Sequence, residues 1–267
     1  MSHRAGALLA LCALWACPGE PGDVVRPDAT PTVQEAGFVA RHPHDPEAFT
    51  QGLFFHRGRL YEGTGRRGES VLREVEIPTG RVVREVPLPD RLFGEGIALH
   101  DGHVFQLTWT AGVGFVYDLG TFREVRRFDY PGEGWGLTGD GRRLIMSDGT
   151  ATLRFIEPDS FRTTRHLLAR ERGDPVERLN ELEYIRGEVW ANVWQSDDIV
   201  RIDPGTGEVL DRIDLSDLVA VEQPRGFEAV LNGIAHDPRS DRVFLTGKLW
   251  RHVYEYRRSD LVDRPEG

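Results

Sequence analysis

Two side chains in this sequence have the chemistry for acid-base and electrostatic work. Lys248 is the one lysine among 33 basic residues, and a lysine that persists where arginine supplies every other positive charge can be needed for its own chemistry. Glu95 stands between two glycines ahead of an apolar run. A carboxylate can accept and return a proton, and a fixed cation can stabilise a developing anion. Chance retention of Lys248 and a turn-capping role for Glu95 are the structural alternatives.

Glu95 belongs to a short segment that recurs five times at intervals of 40 to 52 residues. A period of this length is typical of repeat architectures in which each repeat is one supersecondary unit. Four of the five copies contain a Gly-Leu or Gly-Ile pair. We refer to the five as the anchor segments: Gln51-Gly52-Leu53, Glu95-Gly96-Ile97, Trp135-Gly136-Leu137, Asn180-Glu181-Leu182 and Asn232-Gly233-Ile234.

Each anchor segment opens a repeat of short strand-like runs separated by Pro, Asp and Gly turns. Four strands per repeat predict an all-β, five-bladed β-propeller, with a β-sandwich as the main competitor. The fifth repeat runs out after three strands, so residues 36–41 are expected to supply its outer strand and to close the ring. The second strands of the five repeats are predicted at 60–64, 104–109, 144–148, 189–194 and 243–248.

Equivalent positions of propeller blades converge on the central channel. The repeat therefore predicts which side chains meet there to form a site. The anchor segments bring Gln51, Glu95, Trp135, Asn180 with Glu181, and Asn232 towards one end of the channel. The ends of the second strands bring three more side chains to comparable positions. Packing between sheets is the alternative role for the tryptophans. The three are Trp109, Trp194 and Lys248.

The N-terminal residues predict export. Residues 1–17 have the charged start and apolar stretch of a signal peptide, and the sequence from Leu14 to Cys17 resembles a bacterial lipobox with Cys17 as the lipidated residue; ordinary signal-peptidase cleavage is the alternative. Residues 18–35 are predicted to be a flexible tether, and residues 36–267 the propeller domain. The protein is expected to be periplasmic or a membrane-anchored lipoprotein, or otherwise to be secreted into the medium. Contact with a membrane is expected only through the lipid.

Composition excludes several other classes of function. With 43 acidic against 33 basic residues and no basic tract, the chain is not expected to bind nucleic acid. The histidines show no metal-binding spacing, and the glycine runs are not followed by helical patterns that would form a phosphate loop. No Gly-x-Ser-x-Gly motif is present. The sequence therefore predicts neither a metal nor a cofactor.

Eight segments in order, from about His44 to Tyr256, resemble the plant and bacterial type of glutaminyl-peptide cyclotransferase. The resemblance implies a five-bladed propeller that converts N-terminal glutamine of peptides and proteins to pyroglutamate and releases ammonia. It carries the family's functional positions to Phe49, Gln51, Phe93, Glu95, Trp109, Trp135, Asn180, Trp194 and Lys248. The segments are Phe49-Thr50-Gln51-Gly52-Leu53, Phe93-Gly94-Glu95-Gly96-Ile97, Gln106-Leu107-Thr108-Trp109, Gly132-Glu133-Gly134-Trp135-Gly136-Leu137, Leu179-Asn180-Glu181-Leu182-Glu183, Asn192-Val193-Trp194, Leu231-Asn232-Gly233-Ile234 and Thr246-Gly247-Lys248-Leu249-Trp250.

The implied reaction assigns roles to these residues. Glu95 is expected to take the proton of the substrate's α-amine and to give a proton to the leaving nitrogen. Lys248 is expected to stabilise the oxyanion, with Gln51 or Asn180 as amide donors, or else to tune the pKa of Glu95. The remaining predicted substrate-binding residues form an aromatic cage with Asn232 beside it: Phe49, Phe93, Trp109, Trp135 and Trp194.

Two other functions stay open at the level of sequence. The same pocket in a non-catalytic propeller could capture a peptide or a glycan, although an acid and a lone lysine exceed what stacking alone requires. A calcium-dependent lactonase-like propeller hydrolase would use Asp, Asn and Glu at the channel end, and Glu95, Asn180 and Asn232 supply part of such a set. A monomer is expected in either case.

Overall fold

The computed structural model describes residues 37–262 together with Met1. The predicted signal peptide, lipobox and tether lie outside these described residues. Five four-stranded antiparallel sheets form the blades of a propeller, whose inner strands contact one another in a closed ring. The predicted five-bladed all-β fold is confirmed.

The bounds of the elements follow the chain. The first strand is β1 (Ala40–Pro43). Blade 1 comprises β2 (Thr50–His56), β3 (Arg59–Thr64), β4 (Val71–Glu76) and β5 (Arg81–Pro87). Blade 2 comprises β6 (Gly94–His100), β7 (His103–Thr108), β8 (Val113–Asp118) and β9 (Glu124–Asp129). Blade 3 comprises β10 (Leu137–Gly139), β11 (Leu144–Met146), β12 (Thr152–Glu157) and β13 (Arg162–Leu168).

A small hairpin follows blade 3 and is made of β14 (Arg170–Glu171) and β15 (Asp174–Pro175). Blade 4 comprises β16 (Leu179–Ile185), β17 (Glu188–Val193), β18 (Asp198–Ile202) and β19 (Val209–Asp214). Helix α1 (Ser216–Glu222) comes next. Blade 5 comprises β20 (Leu231–Asp237), β21 (Arg242–Gly247), β22 (His252–Arg257) and, on its outer edge, β1. Helix α2 (Arg258–Val262) ends the described chain.

The N-terminal strand closes the ring. In the antiparallel pair of β1 and β22, Ala40 lies opposite Glu255 and Pro43 opposite His252, which confirms the predicted origin of the missing outer strand. The strand begins four residues later than the predicted range 36–41. Ahead of the strand, the ring of Phe38 is buried 4.9 Å from the ring of Tyr254.

The apolar core is divided among the interfaces between neighbouring blades. Each of the five interfaces has its own cluster of buried side chains, and both helices add a leucine to the cluster between blades 4 and 5. Each blade therefore depends on its two neighbours to bury its faces. Neither described helix is long and apolar enough to cross a membrane. Representative members of the five clusters are Phe54, Phe105, Phe155, Trp190 and Phe244.

The glycines of the anchor segments allow the inner strands to approach one another closely. A Cβ atom at Gly52 would lie 2.5 Å from the backbone nitrogen of Ile97 in the next blade. A Cβ atom at Gly136 would lie 2.0 Å from the carbonyl oxygen of Asn180. Any side chain at these two positions would push neighbouring blades apart, so the repeated glycine records a packing requirement.

Blade 4 has Glu181 where the other anchor segments have glycine, and this side chain fills the space inside the ring. Its Oε1 accepts a 3.1 Å hydrogen bond from the backbone N–H of Leu53, and its Oε2 accepts a 2.9 Å bond from that of Ile234. Glu181 is fully buried, and burial raises the pKa of its carboxyl well above the ordinary value. The residue thus ties blade 4 to blades 1 and 5.

Candidate active site

A cavity of about 280 Å³ lies at the end of the channel where the inner strands begin. Gln51, Glu95 and Asn180 each occupy the second position of an inner strand and reach the cavity from three blades. All nine positions carried over from the family resemblance line it. The full lining is Phe49, Gln51, Phe93, Glu95, Trp109, Trp135, Asn180, Trp194, Phe227, Glu228 and Lys248.

Three of these residues hold equivalent positions in three blades. Trp109, Trp194 and Lys248 are each the first residue after a second strand, whereas the predicted strands included them. The observed strands end one residue earlier, and the backbone N–H of each of these residues donates to the carbonyl that precedes the inner strand of its own blade. The acceptors are the carbonyls of Phe93, Arg178 and Val230, at 3.0, 2.8 and 2.9 Å respectively.

Blade 1 has a glycine at this same position, and the space it leaves is used. The N–H of Gly65 donates to the carbonyl of Phe49 at 2.8 Å, as the equivalent residues do in the other blades. A Cβ atom at Gly65 would lie 2.3 Å from the ring of Phe93. The absence of a side chain in blade 1 therefore lets the aromatic ring of Phe93 enter the cavity wall.

Aromatic rings form most of the wall and contact one another edge to face. The ring centroids of Phe49 and Phe93 are 5.9 Å apart, and those of Phe93 and Trp109 are 5.7 Å apart. On the other side, Trp135 and Trp194 are 5.6 Å apart at 87°. Edge-to-face contacts of this kind stabilise the relative orientation of rings, so the wall has a defined shape.

Glu133 joins the two sides of this wall. Its Oε2 accepts hydrogen bonds from the indole nitrogens of both Trp109, at 2.7 Å, and Trp135, at 2.9 Å. The carboxylate comes from the connection between blades 2 and 3 rather than from a repeated position. One oxygen therefore fixes the orientation of two tryptophans that face the cavity.

Glu95 is the buried acid of the cavity. It is 4% exposed, and its carboxyl has no hydrogen-bond partner among residues 37–262. Burial raises its pKa well above the ordinary value; the charge of Lys248 lowers it in part, and the nearby Glu133 raises it further. A buried carboxyl with a raised pKa beside a cation can exchange a proton with a ligand.

Lys248 is the buried cation. It is 5% exposed, and its Nζ lies 4.8 Å from the centroid of the Phe49 ring. Burial lowers the pKa of its ammonium group, and Glu95 and Glu228 oppose that shift. Its position over an aromatic face holds the charge beside the cavity, and among residues 37–262 the ammonium forms no ion pair with a carboxylate.

The three amide side chains predicted for the site divide into two groups. Gln51 and Asn180 line the cavity, and both are almost fully buried. Asn232 is not part of the lining: its Nδ2 donates to the carbonyl of Thr50 at 2.9 Å and lies 3.5 Å from Oε1 of Gln51. With its oxygen facing Asn232, Gln51 has its NH₂ group left as a donor for a ligand.

Within residues 37–262, no group of three or more His, Cys, Asp or Glu side chains is arranged to hold a metal ion.

Comparison with known proteins decides the family. The family model for glutamine cyclotransferase matches residues 8–257 of this chain. The chain belongs to the glutamine cyclotransferase family. A curated glutaminyl-peptide cyclotransferase from Arabidopsis thaliana is 44% identical over 233 residues, which are 85% of this chain and 72% of that protein. The crystal structure of Myxococcus xanthus glutaminyl cyclase matches with 41% identity and a TM-score of 0.78, over 82% of this chain and 94% of the other.

Three residues of this glutamine cyclotransferase site were not predicted from the sequence. Glu133, Phe227 and Glu228 all lie in connections between blades, where the repeat gives no phase. Glu133 had a signal, since it stands between two glycines two residues ahead of the cavity residue Trp135. Phe227 and Glu228 had none, because the connection between α1 and β20 has no counterpart in the other blades.

Proposed function

We propose that this glutamine cyclotransferase converts N-terminal glutamine of peptides and proteins to pyroglutamate, with Glu95 as the group that moves the proton. The observation that carries the proposal is the buried carboxyl of Glu95, whose pKa is raised and which accepts no hydrogen bond from residues 37–262. It lies in a cavity that Lys248 also lines. Membership of the family supports the reaction, and the geometry supports the assignment of roles.

The proton balance of the reaction fits this carboxyl. The substrate's α-amine, with an ordinary pKa of about 7.7 to 8, must lose a proton before its nitrogen attacks the γ-carboxamide carbon. The neutral amine loses a further proton as its bond to the γ-carbon forms. Glu95 accepts this second proton and donates it to the amide nitrogen, which leaves as ammonia when the old carbon–nitrogen bond breaks. The raised pKa makes this carboxyl a stronger base than an ordinary glutamate, which favours acceptance of the proton, and its place in the cavity allows it to return the proton to the leaving nitrogen.

Charge on the former carbonyl oxygen is the second demand of the reaction. In the tetrahedral intermediate this oxygen becomes an anion, and a donor or cation fixed at that place stabilises it more than it stabilises the substrate. Lys248 supplies the cation, and the free NH₂ groups of Gln51 and Asn180 supply neutral donors. The positive charge also favours the ionised form of Glu95, so the two roles of Lys248 are coupled.

The aromatic wall serves the conformational demand. Glutamine must fold its flexible side chain back onto its own amine, and restricting that motion lowers the barrier of an intramolecular attack. A cavity of about 280 Å³ with fixed ring orientations on both sides limits the rotamers that a bound glutamine can adopt.

The direct test is to incubate the purified protein with a dipeptide that begins with glutamine and to measure ammonia and pyroglutamate. Equal rates with and without EDTA are expected for a reaction carried by these side chains alone. Glu95→Gln is expected to lower kcat by about 10²- to 10⁴-fold, while its melting temperature stays at or above that of the wild type. Absence of turnover by the wild-type protein would refute the proposed function.

The two alternative functions are not favoured by the family relationship. A propeller that only captures peptides or glycans would bind the dipeptide without releasing ammonia. A calcium-dependent hydrolase would lose its activity in EDTA. The same assay therefore separates all three functions.

We also propose that the protein is exported and acts as a monomer, attached to a membrane by a lipid on Cys17. The support is the apolar stretch before Cys17 and the lipobox-like residues 14–17, which lie outside the described structure. Cys17→Ser is expected to move the protein from the membrane fraction to the soluble fraction. Light scattering of the purified domain after size-exclusion chromatography tests the monomer.

A further inference from the structure

Three side chains on the surface surround the entrance of the cavity. Phe227 is 79% exposed although it lines the cavity, and the side chain of Glu228 is 64% exposed. Arg66 lies 4.6 Å from the centroid of the Phe49 ring and pairs with Glu228 at 3.5 Å. We call Arg66, Phe227 and Glu228 the rim. The deeper lining residues Glu95 and Lys248 are almost fully buried, so the rim marks the side that opens to solvent.

The connection that carries Phe227 and Glu228 is fixed to the catalytic end of blade 5. The carbonyl of Val230 accepts the backbone N–H of Lys248 at 2.9 Å. The carbonyl of Ala229 accepts the indole N–H of the buried Trp250 at 3.3 Å. These bonds attach the connection to blade 5 at the two residues that directly follow Phe227 and Glu228.

The cavity has space for little more than one residue of the substrate. Its volume of about 280 Å³ falls just below the range of about 300–1,000 Å³ that is usual for small-ligand sites. Glu95 and Lys248 lie at its buried end, where the glutamine side chain and the α-amine must react. The peptide chain beyond the glutamine must then leave past the rim.

We propose that the rim is a subsite for the second residue of the peptide and that Phe227 makes it select a large apolar or aromatic side chain. This inference rests on the proposed function. A single exposed hydrophobic residue on a protein surface needs no explanation, but Phe227 is both highly exposed and part of the cavity lining. A ring or branched aliphatic group that packs on Phe227 removes apolar surface of both partners from water.

The charges of the rim favour this choice over a charged second residue. Arg66 and Glu228 already pair with each other, and they present one charge of each sign to the entrance. An acidic second residue would gain Arg66 but face Glu228, and a basic one would gain Glu228 but face Arg66. Neither a positive nor a negative second residue therefore gains affinity clearly, and the apolar contact with Phe227 determines which second residue is preferred.

The experiment measures kcat/KM for a series of Gln-X-amides in which X is Gly, Leu, Phe, Lys or Glu. The wild-type enzyme is expected to prefer X = Phe over X = Gly by about 2- to 10-fold, the range that an aromatic contact of about 0.5–1.5 kcal/mol gives. Phe227→Ala is expected to bring this ratio to about 1 through KM, and Phe227→Trp to keep it.

A matched control is available on the surface of blade 4. Leu210 lies on β19, is 52% exposed and does not line the cavity, so Leu210→Ala is expected to keep the Phe/Gly ratio of the wild type. A wild-type ratio near 1, a preference for Lys or Glu, or a preference that survives Phe227→Ala would each overturn the subsite while leaving the cyclase intact. If the wild-type enzyme turns over none of the peptides, the proposed function itself fails and the subsite with it.

Discussion

The indole nitrogen of Trp109 donates a 2.7 Å hydrogen bond to the carboxylate of Glu133. The same oxygen also accepts the indole N–H of Trp135, so one acid holds both sides of the aromatic wall. Glu133 additionally raises the pKa of Glu95. It is therefore expected to influence the reaction through other residues, by orienting the wall and by adding negative charge near the acid.

These two effects of Glu133 can be separated by substitution. Glu133→Gln keeps an oxygen that can accept both indoles, whereas Glu133→Met removes both hydrogen bonds. The Met variant is expected to raise KM by about 2- to 10-fold relative to the Gln variant, which corresponds to the usual net value of one hydrogen bond. Steady-state kinetics of the two variants test this, and equal KM values would contradict the orienting role.

The pH profile tests the charges around Glu95. Glu133 raises and Lys248 lowers the pKa of this carboxyl, so Glu133→Gln and Lys248→Met are expected to shift it in opposite directions. In profiles of kcat/KM, the limb that Glu95 sets should move to lower pH in Glu133→Gln and to higher pH in Lys248→Met. The limb set by the substrate amine should stay in place. Shifts of the same sign would contradict the assignment of Glu95.

The geometry at Lys248 gives a separate prediction for kcat. Lys248→Met is expected to lower kcat by about 10²- to 10³-fold, the usual loss when a group that stabilises an oxyanion is removed. Lys248→Arg keeps the charge but replaces a compact ammonium by a planar group with a different reach. It is therefore expected to fall between the wild type and the Met variant, and a wild-type rate for Lys248→Arg would show that the lone lysine has no special role.

Site residues at positions that recur in every blade could be predicted from the sequence, and site residues in the connections between blades could not. Glu95 and Asn180 lie at matching points of inner strands, which is why their convergence followed from the sequence. Phe227 belongs to a connection of its own, and no period indicates where such a side chain will lie. Asn232 holds the same position in its inner strand as the cavity residues, but its side chain donates to the backbone carbonyl of Thr50 instead of facing the cavity. The spacing of residues in the sequence cannot show which way such a side chain turns.

The glycines between blades give a prediction about stability. Gly136→Ala places a Cβ atom 2.0 Å from the carbonyl oxygen of Asn180, so two blades must move apart at the cavity end. A destabilisation of about 1–3 kcal/mol is expected, as for other overpacked cores. Gly120→Ala is the control, because its Cβ would meet only the side chain of Asp118 at 3.4 Å. Thermal unfolding should show a lower Tm for Gly136→Ala alone.

The opposite end of the channel gives a prediction about pH. Glu183 lines a cleft of about 540 Å³ there, accepts the N–H of His236 at 3.0 Å, and has a pKa raised by burial to about 8. Since the folded state holds this proton more tightly than the unfolded chain, the stabilisation is complete below about pH 4.5 and is lost as pH rises through about 8.

Glu183→Gln should remove that dependence, because an amide oxygen can still accept the N–H of His236 and cannot ionise. The Tm of the variant relative to the wild type is therefore expected to increase between pH 5 and pH 9. A constant difference in Tm across this range would contradict the raised pKa of Glu183.

The closure of the ring by β1 has a consequence for how the molecule is made. The first described strand pairs with the last one, so β1 has no partner until β22 has been synthesised, and the edge of β22 stays open until β1 reaches it. An open edge is a template for a strand of another molecule, and closure between distant parts of a chain is slow. Two newly made copies that lie close together can therefore exchange their β1 strands. The concentration of nascent chains determines how often each propeller is completed by its own β1.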